Sequence, residues 1–516
     1  MGNHSSSHHE PGEQQSSHNT NSAGISGKQP SRTSSDANMT RSPSGADINE
    51  KNFSQYVPIE KLSQILHSKT QSQFGVNGIV CEIFVTQLFP NYSDLGTRIF
   101  KQLHANSRAK TKHLGTVAFK QQCERYLALM DDNKILEVYV KLYGEPTEDP
   151  EKPDFITSDG VKRLLLTCYS IAMAHSTGNG VGALCPQLDR TLNSVVKSIF
   201  FSQDSLSLGF VSRWFEQNAI RLVLLVHKYC VHTLTTAYRG LEQSDGFDGG
   251  SGLELSTPVL DIKNPFSDSS SSSTSDAHSH KIDDSLMPLS QAWLLAGTLP
   301  PLYSRPQAVS SPTANKSTSS AVQIFKNKLA MIPSHWALLY DSDDHGVGAN
   351  RFLHHVLGYR GPTLVLLHTR DDQTYLIASP NEWKETHLYT GSEGCVVIQL
   401  LPKFVILEKK PNILYLNTSI RGYPKGLRAG ADPRKPILSV DEHFEKIDIK
   451  GIQHELISIE VWGCGDPSSR EVQLDIKKWQ IKEAERQRTV KLTAADWMDH
   501  PDRYLLELGG RQNYNN

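Results

Sequence analysis

A chain of 516 residues is long enough for about two or three domains, and its formal net charge of −2 gives no electrostatic ground for nucleic acid as a partner. Its seven cysteines are scattered, odd in number and free of any CxxC pair, which excludes a disulfide framework and a structural zinc site and reads as reduced, intracellular usage. The most apolar run, AIRLVLLV at 219–226, is too short to span a bilayer, and no apolar leader of a secretory signal is expected at the N-terminus.

The chain opens MGNHSSSHHE, in which Gly2 and Ser6 fit the Met-Gly-x-x-x-Ser pattern for N-myristoylation. The tract up to residue 52 is rich in Ser, Asn, Gly, Gln and His and poor in large apolar side chains, so it is expected to be disordered. Its histidines have no fixed geometry and are not read as metal ligands. Lys28, Arg32 and Arg41 face Glu10, Glu13, Asp36, Asp47 and Glu50 in this tract, which makes no polybasic patch.

Residues 53–242 read as helices. Pro58 suits a first helical turn, and Ile59, Leu62, Ile65 and Leu66 then share one face. YSDLGTRIFKQLH, GTVAFKQQCERYLALM, DNKILEVYVKLYG, DGVKRLLLTCYSIAMAH, LDRTLNSVVKSIFFS and FVSRWFEQNAIRLVLLVHKYCV continue the pattern. Short loops between helices of this length predict an antiparallel bundle, with helix pairs in an EF-hand-like rhythm. Calcium loops need oxygen ligands at alternate positions and a terminal bidentate acid. Ile135 takes a ligand place after Asp131 and Asn133, and Asp159-Gly160 has no flanking acids, so the helices read as scaffold.

A Ser-rich linker follows over 243–284, and a Ser/Pro tract over 304–322 interrupts the next region. SLMPLSQAWLLAGTLP and ANRFLHHVLGY read as helices. LVLLHTRDDQTYLIAS reads as a hairpin, GCVVIQLLP, KFVILEKKP and NILYLNTSI as strands, and HELISIEVWGCGD as a late strand with Ile457, Ile459 and Val461 on one side. DSDDHG at 341–346 mimics the start of a calcium loop, but Phe352 stands where the closing Glu belongs, so a polar strand-to-helix turn is expected. Towards the C-terminus, Ser468 with Glu471 and Thr493 with Asp496 have capping-box spacing, and Pro501 suits the start of a last helix. Trp479 and Ile476 make a narrow apolar stripe, and the helix reads equally as a surface helix docked by Trp479 and as one whose Lys477, Lys478 and Lys482 suit an acidic partner.

No GxSxG, P-loop, GxGxxG or HExxH motif occurs, and neither a catalytic residue, a metal nor a cofactor is expected. Cys395 and Cys464 are the candidate nucleophiles of an alternative, redox reading; each reads equally as a packed thiol.

SLMPLSQAWLLAGTLP, SHWALLYDSDDHG, PTLVLLHTRDDQTYLIAS, SPNEWKETHLYTGSEGCVVIQLLP, NILYLNTSIRGYPKGL and SIEVWGCGD occur in the order of the TLDc (TBC/LysM-associated) domain, and together they resemble that family over about 285–466. Two stretches that are commonly glycine-rich in the family read TYLIAS and GLRAGADPRKPILSVDEHF here. With a Met-Gly start, an EF-hand-like region and a helical tail, the layout most resembles the family's lysosomal, TOR-associated member.

The expected fold class is multidomain, α plus α+β. The expected order is a tail (1–52), an EF-hand-like helical region (53–242), a linker (243–284), a TLDc domain of packed antiparallel sheets with flanking helices (285–466), and C-terminal helices (467–516). The resemblance implies binding to the V-ATPase and a role in TOR signalling at the cytosolic face of the lysosomal membrane and in the cytoplasm. It also implies a link to oxidation resistance. A single myristoyl chain holds a membrane only with K on the order of 10⁴ M⁻¹, so the second contact is expected to be a protein.

Overall fold

The computed structural model describes residues 57–145, 154–173, 185–244, 287–304, 336–488 and 508. The first helices are α1 (Val57–Phe74), α2 (Cys81–Leu88), α3 (Ser93–Ser107), α4 (Thr116–Leu127) and α5 (Asp132–Tyr143). After them come β1 (Phe155–Thr157), α6 (Ser158–Met173), α7 (Leu188–Phe200), β2 (Ser205–Ser207), α8 (Leu208–Asn218) and α9 (Ile220–Ser244). They form helix-loop-helix units joined loop to loop. Ile79 bridges Leu114 between the first two loops, and β1 pairs antiparallel with β2 between the next two. Asp131 caps α5 by accepting from the Asn133 amide, a structural use of the carboxylate. Gly160 is needed for packing, since a Cβ there would lie 2.7 Å from the Tyr143 carbonyl oxygen.

The run expected as one helix over 210–231 is two. Ala219 leaves the helical region with φ −154°, and the Asn218 side chain turns back to donate to the Trp214 carbonyl. That break lets the 25-residue α9 cross the bundle and pack on α1, α5 and α6.

The second half begins with α10 (Leu289–Thr298) and a short α11 (Pro301–Ser304). α10 is apolar almost all round and is buried on all sides, as such a helix must be. β3 (Ala337–Asp341) leads through the turn α12 (Ser342–His345) into α13 (Ala349–Val356). Asp341 caps α12 and Phe352 is core, as expected of a polar turn.

The remaining strands are β4 (Thr363–Thr369), β5 (Thr374–Ser379), β6 (Val396–Leu401), β7 (Val405–Lys409), β8 (Leu414–Asn417), β9 (Gly426–Ala429), β10 (Leu438–Val440), β11 (Lys446–Ile449) and β12 (Ile452–Gly463). All pairings are antiparallel, in the order β7-β6-β5-β4-β12-β11-β10-β9-β8, with β3 also on β12. The long β12 therefore belongs to two leaves. Its start pairs with β11 and its end with β3 and β4.

Strand alternation divides the side chains between two cores. Val365, Leu367, Tyr375, Ile377 and Val397 face the core between the leaves. Leu364, Leu366, Leu376, Ala378 and Ile398 face the helices, in one cluster that reaches from Ile59 to Cys464. Burial on both faces is why β4, β5 and β6 read as unbroken apolar runs. It also means that the helical region and the sheet share a core. Trp293 of α10 sits in it, edge-on to Tyr169 of α6 at 5.4 Å.

One expected alternation fails. Ile459 and Val461 are buried, but Ile457 is 51% exposed because the register shifts between Leu456 and Ser458.

Candidate interaction surface

The last described helix, α14 (Pro467–Arg488), leaves the end of β12. It starts at Pro467, not at a Ser468 cap: proline lacks the amide that a first helical turn leaves unpaired, and the Ser469 amide donates to the Asp466 carbonyl. The expected cap at Thr493 with Asp496 and the helix opening at Pro501 fall outside the described residues, apart from Leu508.

Docking of α14 rests on its first turns. Gln473 is fully buried, and its amide donates to the carbonyls of His355 at 2.9 Å and Leu357 at 3.1 Å, at the end of α13. Beside it, the Gly465 amide donates to the Tyr359 hydroxyl at 2.8 Å. Tyr359 fits because Gly361 and Gly463 have no side chain: a Cβ on either would come within 2.9 Å of the ring.

Further along, the helix meets solvent. Trp479 is 65% exposed, and Val472, Leu474 and Ile481 are exposed as well. Val472, Ile476 and Trp479 are spaced four and three apart and form one stripe, while Arg470, Gln473 and Lys477 form another, the docked one. Lys477 is thus half-buried on the docked face, whereas Lys478 and Lys482 are exposed. Lys478 lies 3.4 Å from Asp475 on its own helix. The structure therefore separates Lys477 from the other two candidate lysines.

A buried carboxylate joins the entry and exit of the second half. Glu460 on β12, 1% exposed, accepts from the Met287 amide at 2.9 Å and from the Trp462 indole at 3.0 Å. His368 on β4 stands 3.5 Å from its other oxygen. Glu460, Gln473 and Tyr359 were not among the residues singled out from the sequence. The spacing of Gly361, Gly463 and Gly465 was the available signal, since glycines around an aromatic mark close approach.

Both candidate thiols are buried. Burial pushes the Cys395 thiol up to about 11, and burial raises Cys464 well above its ordinary value. Reactive cysteines sit in exposed, electropositive places with depressed values. Cys395 instead stands just before β6, packed so closely that a Cβ on Gly391 would lie 2.4 Å from its sulfur. Among the described residues no cluster of His, Cys, Asp and Glu is placed to hold a metal ion, and no helix is long and apolar enough to cross a membrane.

The family model for the TLDc domain matches residues 315–465. The chain carries a TLDc domain. The matched stretch begins after the expected boundary at 285, so α10 and α11 lie ahead of it and cover its outer face. Two curated relatives, both named Restriction of telomere capping protein 5, are similar to parts of the chain. The one from Neurospora crassa is 23% identical over 248 residues, which cover 34% of this chain and 41% of the relative. The one from Colletotrichum graminicola is 43% identical over 72 residues, 14% of this chain and 11% of the relative. The chain therefore spans less than half the length of either relative it matches.

Proposed function

We propose that the protein is a non-enzymatic adaptor that binds the V-ATPase through its TLDc domain and α14. It acts at the cytosolic face of the lysosomal membrane and in the cytoplasm, and supports TOR signalling. The observation that carries this reading is Trp479, a large apolar side chain held in water on a helix that the TLDc domain grips only by its first turns. Such a stripe flanked by lysines suits a groove with an acidic border. Resemblance to the lysosomal member supplies the identity of the partner. Myristate on Gly2 supplies a weak tether, and a protein contact made at the same membrane multiplies it by effective concentration.

A redox role for Cys395 or Cys464 is the alternative. Burial of both thiols, with their upward shifts, weighs against it. Affinity purification from lysosomal membranes tests the adaptor reading. The wild-type protein should recover V-ATPase subunits, and Gly2→Ala should move the protein to the soluble fraction without unfolding it. Equal membrane content of both forms would remove the tether from the account.

A further inference from the structure

The docked face of α14 brings together cations that lack a counter-ion. Arg470 and Lys477 flank Gln473, which is bound to the end of α13, and both are electrostatic neighbours of His355 there. The His355 ring lies 3.9 Å from that of His345 and 5.1 Å from that of His354, centroid to centroid. Neither Arg470 nor Lys477 has a carboxylate within 4.0 Å among the described residues; Arg470 donates instead to the Gln473 side chain. Some exposed cations on the same domain are paired, as Lys425 is with Glu442 at 2.9 Å and Arg370 with Glu455 at 2.8 Å. The α13 carbonyls give some negative potential, but those of His355 and Leu357 are engaged by Gln473.

We propose that this face is an anion site for a phosphate monoester, gripped by Arg470, Lys477 and His355. A guanidinium fork beside an ammonium and an imidazole matches the several oxygens of a phosphate dianion better than a single carboxylate. The electrostatics agree with the geometry. Burial, then Arg470, pushes Lys477 down to about 8. Burial, then His345, Lys477, His354 and Arg470, pushes His355 down to about 4. Burial first, and neighbouring positive groups next, hold both below their ordinary values, and a bound dianion opposes that shift. Binding therefore takes up protons and tightens as pH falls. This site is independent of V-ATPase binding and is tested without it.

The same phosphate chemistry occurs on soluble inositol phosphates and on phosphoinositide headgroups. The experiment uses the full, non-acylated chain, with inositol trisphosphate and with phosphatidylcholine vesicles containing phosphatidylinositol bisphosphate as probes. Calorimetry near pH 8, in two buffers of different ionisation heat, reads affinity and proton uptake together. The expected result is binding with net proton uptake, about tenfold weaker in Lys477→Gln and in Arg470→Gln and retained in Lys477→Arg. Binding of vesicles alone assigns the lipid source, and binding of the free headgroup alone assigns the soluble one. Lys477 has no ion-pair partner among the described residues, so its variants stay informative if Arg470→Gln misfolds. The proposal is overturned if neither probe binds, if Lys477→Gln binds as well as wild type, or if binding takes up no protons. Failure with both probes but capture of an acidic peptide by the same residues would make this a peptide contact instead.

Discussion

The side-chain amide of Gln473 donates to the carbonyl of His355 at 2.9 Å, so one buried residue fastens α14 to the TLDc domain. Gln473→Leu removes that donor and leaves the carbonyls at the end of α13 unpaired, a loss of about 1–3 kcal/mol. The expected outcome is faster amide exchange over 467–488 with little change in the sheet. Unchanged exchange along α14 would show that the helix is held by something else.

Glu460→Ala strands the Met287 amide and the Trp462 indole in the shared core. Two hydrogen bonds to a charged acceptor are lost, so we expect destabilisation of roughly 3 kcal/mol by denaturant unfolding. A midpoint shift no larger than that of a surface variant would mean that Glu460 does not join the two ends of the domain.

Docking of α14 should weaken in acid. His355 has an ordinary value of 6.5 and is lowered to about 4 in the docked structure, by burial first and by His345 and Lys477 next. Lys477 and Arg470 of α14 add to burial in disfavouring the charged ring, so release of α14 lets His355 take up a proton more readily as pH falls towards about 4. Amide exchange along α14, corrected for intrinsic rate, should rise between pH 6.5 and 4, and His355→Asn should flatten that rise. A wild-type profile as flat as the variant's would contradict this.

Calcium should leave the first two helix-loop-helix units, α1–α2 and α3–α4, unchanged. The loops over 75–80 and 108–115 contain no Asp or Glu, and the second carries Arg108, Lys110 and Lys112. A calorimetric site of about micromolar affinity, as in sensor EF-hands, would overturn this.

Much of this architecture was legible in the sequence where the pattern was long. Helices α1 and α3 to α6 and the β4–β5 hairpin show their periods over many residues, and the polar turn after Asp341 shows itself by what it lacks, whereas the eight-residue α2 was not read. The short strands β9, β10 and β11 were not legible. Each has three or four residues, too few for alternation to stand out, and only pairing along the second leaf defines them. Ile457 was misjudged because a bulge is a property of the pair of strands and not of one. Gln473 was hidden for a related reason. Nothing local marks a glutamine as buried, and its role depends on the end of α13, more than a hundred residues earlier in the chain. Trp479 and the lysines were found from helical spacing, but only packing divides Lys477 from Lys478 and Lys482.

Trp479 of α14 is the proposed V-ATPase contact. Trp479→Ala tests it most directly, because an exposed side chain can be removed with a stability change within about 0.5 kcal/mol. Wild-type and variant proteins, matched for expression and folding, are captured from solubilised lysosomal membranes and the co-purifying V-ATPase subunits quantified. The variant should melt with wild type and recover markedly less of the pump. Equal recovery by a folded Trp479→Ala protein would contradict it.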